Sequence, residues 1–185
     1  MPFIDYVWHS IIAVFVFAHP MFQTSSFANI WGGGKPVDLG KTWKGKRILG
    51  DNKTWNGVIA GLIGGTFFGA VFSFFFADPF NLFYGNVFPC EYPMYIGFFF
   101  SIGTHLADFI GSFIKRRINI PPSRGLFPWD QMGYILTGFA CSIGFMFPLR
   151  EFFWYYFLFL LIATFFIHVL VSFIAYKLGL KTVWY

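Results

Sequence analysis

The sequence predicts an all-α integral membrane protein with five transmembrane helices, on three observations. First, 57% of its residues are hydrophobic and 25% aromatic while only 11% are charged, far from the composition of a soluble domain. Second, five apolar segments come close to or reach the roughly 20 residues that a helix needs to cross the hydrocarbon core. Third, of the 13 Lys and Arg residues only Arg150 lies outside three polar segments that five spans would place on one side of the membrane.

The spans are expected at residues 3–22, 55–76, 94–114, 132–148 and 152–176, within a single domain covering 1–185. The first carries Asp5 and His9 in its opening turns and Pro20 near its end. It has no basic leading segment and no small-residue cleavage site, so it reads as a retained helix rather than a removed signal peptide. A polar segment from Gly32 to Lys53 follows, with Lys35, Lys41, Lys44, Lys46, Arg47 and Lys53. In the second span, Gly57, Gly61, Gly64, Gly65 and Gly69 invite close approach by another helix and place it inside the bundle, which is an architectural role rather than a ligand role. The connection 78–93 holds Asp78 and Glu91 but no basic residue; the next carries Lys115, Arg116, Arg117 and Arg124, and the tail adds Lys177 and Lys181. The fifth span, with FFWYYFLFLL, reads as a lipid-facing or packing surface.

Short Lys- and Arg-rich loops stay cytoplasmic. The first and third connections and the C-terminus are therefore expected inside the cell membrane and the N-terminus outside. The net charge of +5 follows from this topology and calls for no nucleic-acid partner. Cys90 and Cys141 are too few, and too different in expected depth, for a disulfide framework.

Asp108, well inside the third span, is costly there without a partner and marks a polar site. Asp108, Ser112 and Lys115 share one helical face with His105 a turn earlier, a ladder rising toward the basic side. Asp130 opens the fourth span near the same surface. Two such carboxylates can hold Mg²⁺ while Lys and Arg neutralise phosphate oxygens, as magnesium-assisted phosphoryl or nucleotidyl transfer requires. The structural alternatives are a helix-locking pair of Asp108 with Lys115 or Arg116, and for Asp130 a simple helix N-terminal residue. A small ion-coupled transporter with Asp108 as its ion site is the competing function, although broken helices and repeats are missing.

The first basic loop, GGGKPVDLGKTWKGKRILGDNKTWNG, mixes flexible glycines with cations and acids, a composition suited to wrapping phosphate. It is no P-loop, because Lys35 stands where that motif needs glycine. Asp51 or Asn52 is placed to cap the second span, and Trp43 and Trp55 to anchor at the interface. His9, His19 and His168 lack metal-ligand spacing.

The run Asp108-x-x-x-Ser112-x-x-Lys115-Arg116, followed by Pro128-Trp129-Asp130-Gln131, resembles the signature of the CTP-dependent phosphatidate cytidylyltransferases. The loop GKTWKGKRILGDNKTWNG is similar to the first cytoplasmic loop of their archaeal branch, the CDP-archaeol synthases, and the likeness covers most of the chain. The resemblance implies a Mg²⁺-dependent reaction of CTP with an isoprenoid glycerol phosphate, 2,3-bis-O-geranylgeranyl-glycerol 1-phosphate, giving CDP-archaeol and pyrophosphate, with the two basic cytoplasmic loops as the active-site face. It makes Asp108 and Asp130 the metal ligands. Lys115 and Arg116, with Lys41, Lys44, Lys46, Arg47 and Lys53, would offset phosphate charge, and Asp51, Ser112, Asn52, Thr54 and Asn56 would complete the nucleotide site, the last three as candidates for selecting cytosine. Where the pattern has a second acid three residues after Asp130, this chain has Gly133. The CDP-alcohol phosphotransferases, with their dense run of aspartates, do not match.

Overall fold

A computed structural model describes residues 18–77, 95–121, 124–142 and 153–179, apart from the side chains of 153–156. The opening of the first expected span, the connection 78–93 and the end of the fourth span at 143–148 lie outside these residues, as do Cys90, Arg150 and Lys181. Helix α1 covers residues 18–30, α2 Trp55–Phe72, α3 Ile96–Arg117, α4 Trp129–Ser142 and α5 Phe153–Lys177. A π-helical segment, Ser73–Ala77, extends α2. The protein is mostly helical rather than wholly so, because the first basic loop folds two short antiparallel strands, β1 (Thr42–Trp43) and β2 (Lys46–Arg47). Among the described residues three helical stretches, Trp55–Phe75, Ile96–Arg117 and Phe157–Lys177, are long and apolar enough to cross a membrane.

Polar side chains extend the helices beyond the apolar runs. Helix α1 continues to residue 30 rather than ending at 22. There the Thr24 and Ser26 hydroxyls donate to the carbonyls of Pro20 and Phe22 at 2.8 and 3.0 Å, so hydrophilic residues prolong the helix instead of breaking it. Helix α3 runs to Arg117 because Lys115, Arg116 and Arg117 sit where the helix dipole favours cations. Helix α4 starts at Trp129, with Asp130 in the first turn where a carboxylate is favoured. Thr54, not Asp51 or Asn52, caps α2: its extended backbone points the hydroxyl at the Gly57 N–H, 3.3 Å away. Asp51 and Asn52 instead lie exposed in the loop.

The five glycines of α2 are all buried, and what fills the space beside them explains the bundle. A Cβ at Gly69 would lie 2.6 Å from the Gly97 Cα, and one at Gly97 2.5 Å from the Gly65 carbonyl oxygen, so α2 and α3 touch backbone to backbone. Gly65 leaves room for the Ser101 and Thr24 hydroxyls, which lie 2.8 Å from each other and join α1 to α3. Gly64 accepts the Phe27 ring of α1. Across the other face of α3, Gly103 meets Gly138, and Thr137 of α4 donates to the Gly103 carbonyl at 2.6 Å. Helix α3 is thus gripped on two sides, while Leu158, Ile162, Phe166 and Leu170 on α5 stay exposed to form apolar surface suited to lipid.

Gly65→Leu should therefore destabilise the protein in detergent by roughly 1–3 kcal/mol through overpacking. The exposed Ile63→Leu should leave the thermal unfolding midpoint unchanged. Equal midpoints for the two variants would contradict the close approach of α1, α2 and α3.

Candidate active site

The first basic loop is built around a residue that its cation count obscures. Asp38 has a side chain only 1% exposed. Its Oδ1 accepts from Arg47 at 2.7 Å and from the Gly40 N–H at 3.1 Å; its Oδ2 accepts from Leu49 and Gly50 N–H groups at 2.9 and 3.0 Å. Arg47 also reaches Asp51 at 2.7 Å. Burial alone would raise the Asp38 carboxyl, but Arg47 and the N–H groups of Gly50, Leu49 and Gly40 outweigh it and hold the group well below the usual carboxylate range. The hairpin turn needs positive φ at both central positions, supplied by Lys44 at 51° and Gly45 at 75°. The loop closes on itself where Val37 N–H donates to Lys53 and Trp55 N–H to Lys35. It is an ordered element rather than a flexible glycine-rich wrap.

Arg117 fastens this element to the end of α3. Its guanidinium donates to the carbonyls of Trp43, Lys46 and Arg47, and in return Lys46 Nζ donates to the Arg117 carbonyl at 2.9 Å. Trp43 stacks on Phe113, ring centroids 5.5 Å apart, with the Arg117 cation over both rings and Lys44 over Trp43. Basic groups of the first and third connections thereby meet at one end of the bundle.

Two ion pairs then set the carboxylates. Lys53 Nζ lies 2.9 Å from Asp108 Oδ2, and Lys115 Nζ 2.6 Å from Asp130 Oδ2. Asp108 thus pairs with the loop in place of Lys115 or Arg116, and Lys115 reaches across to α4. The Leu126 N–H also donates to Asp130 Oδ2, at 2.9 Å. Both carboxylates leave Oδ1 without a hydrogen bond among the described residues. A Cβ at Gly111, one turn beyond Asp108 on α3, would lie 3.5 Å from Asp130 Oδ1, so the Asp130 carboxylate approaches α3 one turn along from Asp108.

Asp108 and Asp130 both line a cleft of about 310 Å³ between α1, α3, α4 and α5. Its remaining walls include Ser25 and Ser26 of α1, Tyr134 of α4 and Thr164, Ile167 and Val171 of α5. One end is acidic and flanked by lysines; α5 lines the cleft with the polar Thr164 and His168 as well as the apolar Ile167 and Val171.

The other expected site residues divide by environment. Lys46 and Arg47 hold the loop together. Thr54 is buried, and its oxygen accepts from Gly33 as well as Gly57, so it ties the loop to the start of α2. Ser112 is buried one turn from Asp108. Lys41, Lys44, Asn52 and Asn56 are exposed, with the Asn56 amide against Gly34. Arg116 lies beside Gly50, its Nε buried with no hydrogen-bond partner among the described residues. Asp38 and Trp129 were not legible as site-building residues. Only the Asp-x-Gly spacing of Asp38 and Gly40, an Asx-turn pattern, hints at the former.

A family model described as CarS-like, CDP-archaeol synthase, matches residues 7–185. The chain belongs to the CDP-archaeol synthase family. It is 37% identical over 179 residues to the CDP-archaeol synthase of Pyrococcus horikoshii, covering 95% of this chain and 97% of that one. It is 35% identical over 175 residues to that of Thermococcus kodakarensis, covering 94% and 96%. A solved structure described as an intramembrane enzyme for archaeal membrane lipid biosynthesis aligns with a TM-score of 0.63 at 26% identity, over 88% of this chain and 94% of its own. Membership makes the chain an enzyme, a cytidylyltransferase of membrane lipid synthesis and a multi-pass membrane protein. The transporter reading is thereby set aside.

Because the folded Asp38 ionises below its unfolded value, it stabilises the loop fully above the ordinary aspartate value of 3.8, and that contribution fades as pH falls through the folded value. Hydrogen exchange over residues 37–50, corrected for intrinsic rates, should show constant protection from pH 8 to 5. Asp38→Asn should lose protection throughout this range. A wild-type loop that opened between pH 7 and 5 would contradict the Asp38 clamp.

Proposed function

We propose that this enzyme transfers CMP from CTP to an isoprenoid glycerol phosphate, 2,3-bis-O-(geranylgeranyl)-sn-glycerol 1-phosphate, giving unsaturated CDP-archaeol and pyrophosphate. The observation that carries the reading is the cleft itself. Two carboxylates face it at the lysine-flanked end, and Phe22 of α1 with Ile167 and Val171 of α5 supply apolar surface in the same cleft, beside Thr164 and His168. A lipid phosphate needs both environments at once.

The carboxylates suit Mg²⁺ as the metal. Each has one oxygen engaged by a lysine and a second without a bond among the described residues, and no cluster of three or more His, Cys, Asp or Glu side chains able to hold a metal occurs there. Two carboxylate ligands completed by phosphate oxygens and water are the usual arrangement for Mg²⁺ in nucleotide enzymes, whereas an all-protein cage is not. Bound Mg²⁺ would neutralise triphosphate charge and hold CTP for displacement.

The protein's own groups account for the rest. Lys53 and Lys115 pair with and orient Asp108 and Asp130, and their ammonium charges lie where phosphate oxygens would gather. Arg116, with its buried Nε, and the exposed Lys41 and Lys44 add positive charge for the leaving group. A lipid phosphate oxygen attacks the α-phosphorus, the bond from that phosphorus to the α–β bridging oxygen breaks, and pyrophosphate departs with the electron pair. No covalent enzyme intermediate is required. Asn52 and Asn56, exposed where the loop enters α2, remain the candidates for recognising cytosine.

In this reading all 185 residues form one domain crossing the cell membrane five times. The N-terminus lies outside, and the basic loops and C-terminus lie in the cytoplasm, where CTP is available. The joining of the first and third connections through Arg117 supports placing them on one side.

Purified protein given labelled CTP and Mg²⁺ should convert the isoprenoid glycerol phosphate to labelled CDP-lipid, and phosphatidate slowly or not at all. Faster turnover of phosphatidate would reassign the enzyme as a CDP-diacylglycerol synthase. Asp108→Asn and Asp130→Asn, each correctly folded, should lower turnover by roughly 10²-fold or more. Full activity in either would remove the metal role from that residue.

A further inference from the structure

The indole of Trp129 occupies a place that no catalytic role explains. It lies between two glycines of different helices. A Cβ at Gly111 of α3 would be 2.8 Å from Trp129 Cδ1, and one at Gly133 of α4 would be 2.8 Å from Cε2. Its Nε1–H donates to the Ala107 carbonyl at 3.0 Å, and the ring forms part of the cleft wall. Ala107 directly precedes Asp108, and Trp129 directly precedes Asp130. The residue before one carboxylate is therefore bonded to the backbone of the residue before the other.

An indole held this way is a spacer with its length and rotation both fixed. The two glycines make room for it, because a side chain at either position would occupy the ring's volume. The hydrogen bond fixes which way the ring points. The Ala107 carbonyl already lies in the helical ladder of α3, so the indole is an added donor to it rather than a repair of a broken backbone bond. Closer approach of α3 and α4 is possible elsewhere along the pair, as Gly103 against Gly138 shows; at the level of the acids the ring keeps them apart.

We propose that Trp129 is a positioning residue that sets the separation of Asp108 and Asp130, and so the affinity of the site for its divalent cation. This rests on the reading that those two carboxylates hold the metal. Residues that orient metal ligands from outside commonly change affinity 10- to 100-fold when altered. Trp129→Phe shortens the ring and removes the N–H, and Gly111→Ala displaces the ring without changing it.

The test is Mn²⁺ binding to the purified full chain with CTP present, followed by electron paramagnetic resonance, alongside turnover as a function of Mg²⁺ concentration. Both variants should bind Mn²⁺ about tenfold more weakly, and raising Mg²⁺ should restore most of their turnover, with the CTP KM at saturating metal unchanged. A packing change away from the cleft, Ile135→Val, should lower the unfolding midpoint and leave Mn²⁺ binding alone. Should Trp129→Phe not fold, Gly111→Ala carries the test by itself. Wild-type Mn²⁺ affinity in a folded Trp129→Phe or Gly111→Ala protein, or a turnover loss that Mg²⁺ does not restore, would overturn the proposal. Asp108→Asn and Asp130→Asn separate the two levels. If they abolish Mn²⁺ binding and the Trp129 and Gly111 variants do not alter it, only the spacer role fails; if they too bind Mn²⁺ normally, the metal reading fails with it.

Discussion

A carboxylate inside a membrane helix has to be compensated, and the way Asp108 is compensated organises this molecule. Its partner, Lys53, arrives from a loop rather than from a neighbouring helix. The loop must therefore be held against the end of α3, and the Asp38 clamp, the hairpin and the Arg117 bonds to three loop carbonyls do that. Asp130 repeats the logic with Lys115. Each acid of the cleft is matched by a cation from a different segment, so the pairs tie α3 to what precedes and follows it. Charges left unpaired in such surroundings would be far costlier than the same groups in water.

Close backbone packing makes this arrangement stiff. Lipid tails are as apolar as the side chains of a helix, so apolar burial does little to join helices within a membrane, and small residues and interhelical hydrogen bonds take over. Here the glycines of α2, the Thr24–Ser101 contact and the Thr137 bond to Gly103 grip α3 on both faces. Asp108 then projects from a helix held on two faces, and Asp130 from α4, which the Thr137 hydroxyl bonds to it. By contrast α5 offers a mainly exposed apolar surface, and it walls the cleft on the side away from the loop. Paired carboxylates in a cleft of mixed polar and apolar lining suit a lipid phosphate and a nucleotide together.

Several of these features were readable in the sequence because they depend on local pattern. The helical cores of the second, third and fifth spans follow from apolar length, and the inward face of α2 from its glycines. Asp108 and Asp130 stood out because charge is rare in such segments, and both do line one cleft. What the pattern hid depends on partners distant in sequence. Asp38 looks like one acid among six cations until its four donors are seen. Lys115 shares a helical face with Asp108 yet pairs with Asp130, a choice made by the approach of α4 rather than by spacing. Thr54 looked like a base-binding hydroxyl and is a buried cap, while α1 outlasts its apolar run because its hydroxyls satisfy its own carbonyls. Trp129 stands in the sequence only as a member of the Pro128-Trp129-Asp130-Gln131 run, and the two facing glycines reveal its place.

In the proposed reaction Asp108 and Asp130 jointly hold the metal that carries the nucleotide. The most direct test of this role is anomalous diffraction from Mn²⁺ in crystals of the full chain grown with a non-reactive CTP analogue. One strong peak is expected within ligand distance of oxygens from both carboxylates, with the analogue's phosphates on the side of Lys53 and Lys115. A peak that contacts neither carboxylate, or nucleotide phosphates bound away from this cleft, would contradict it.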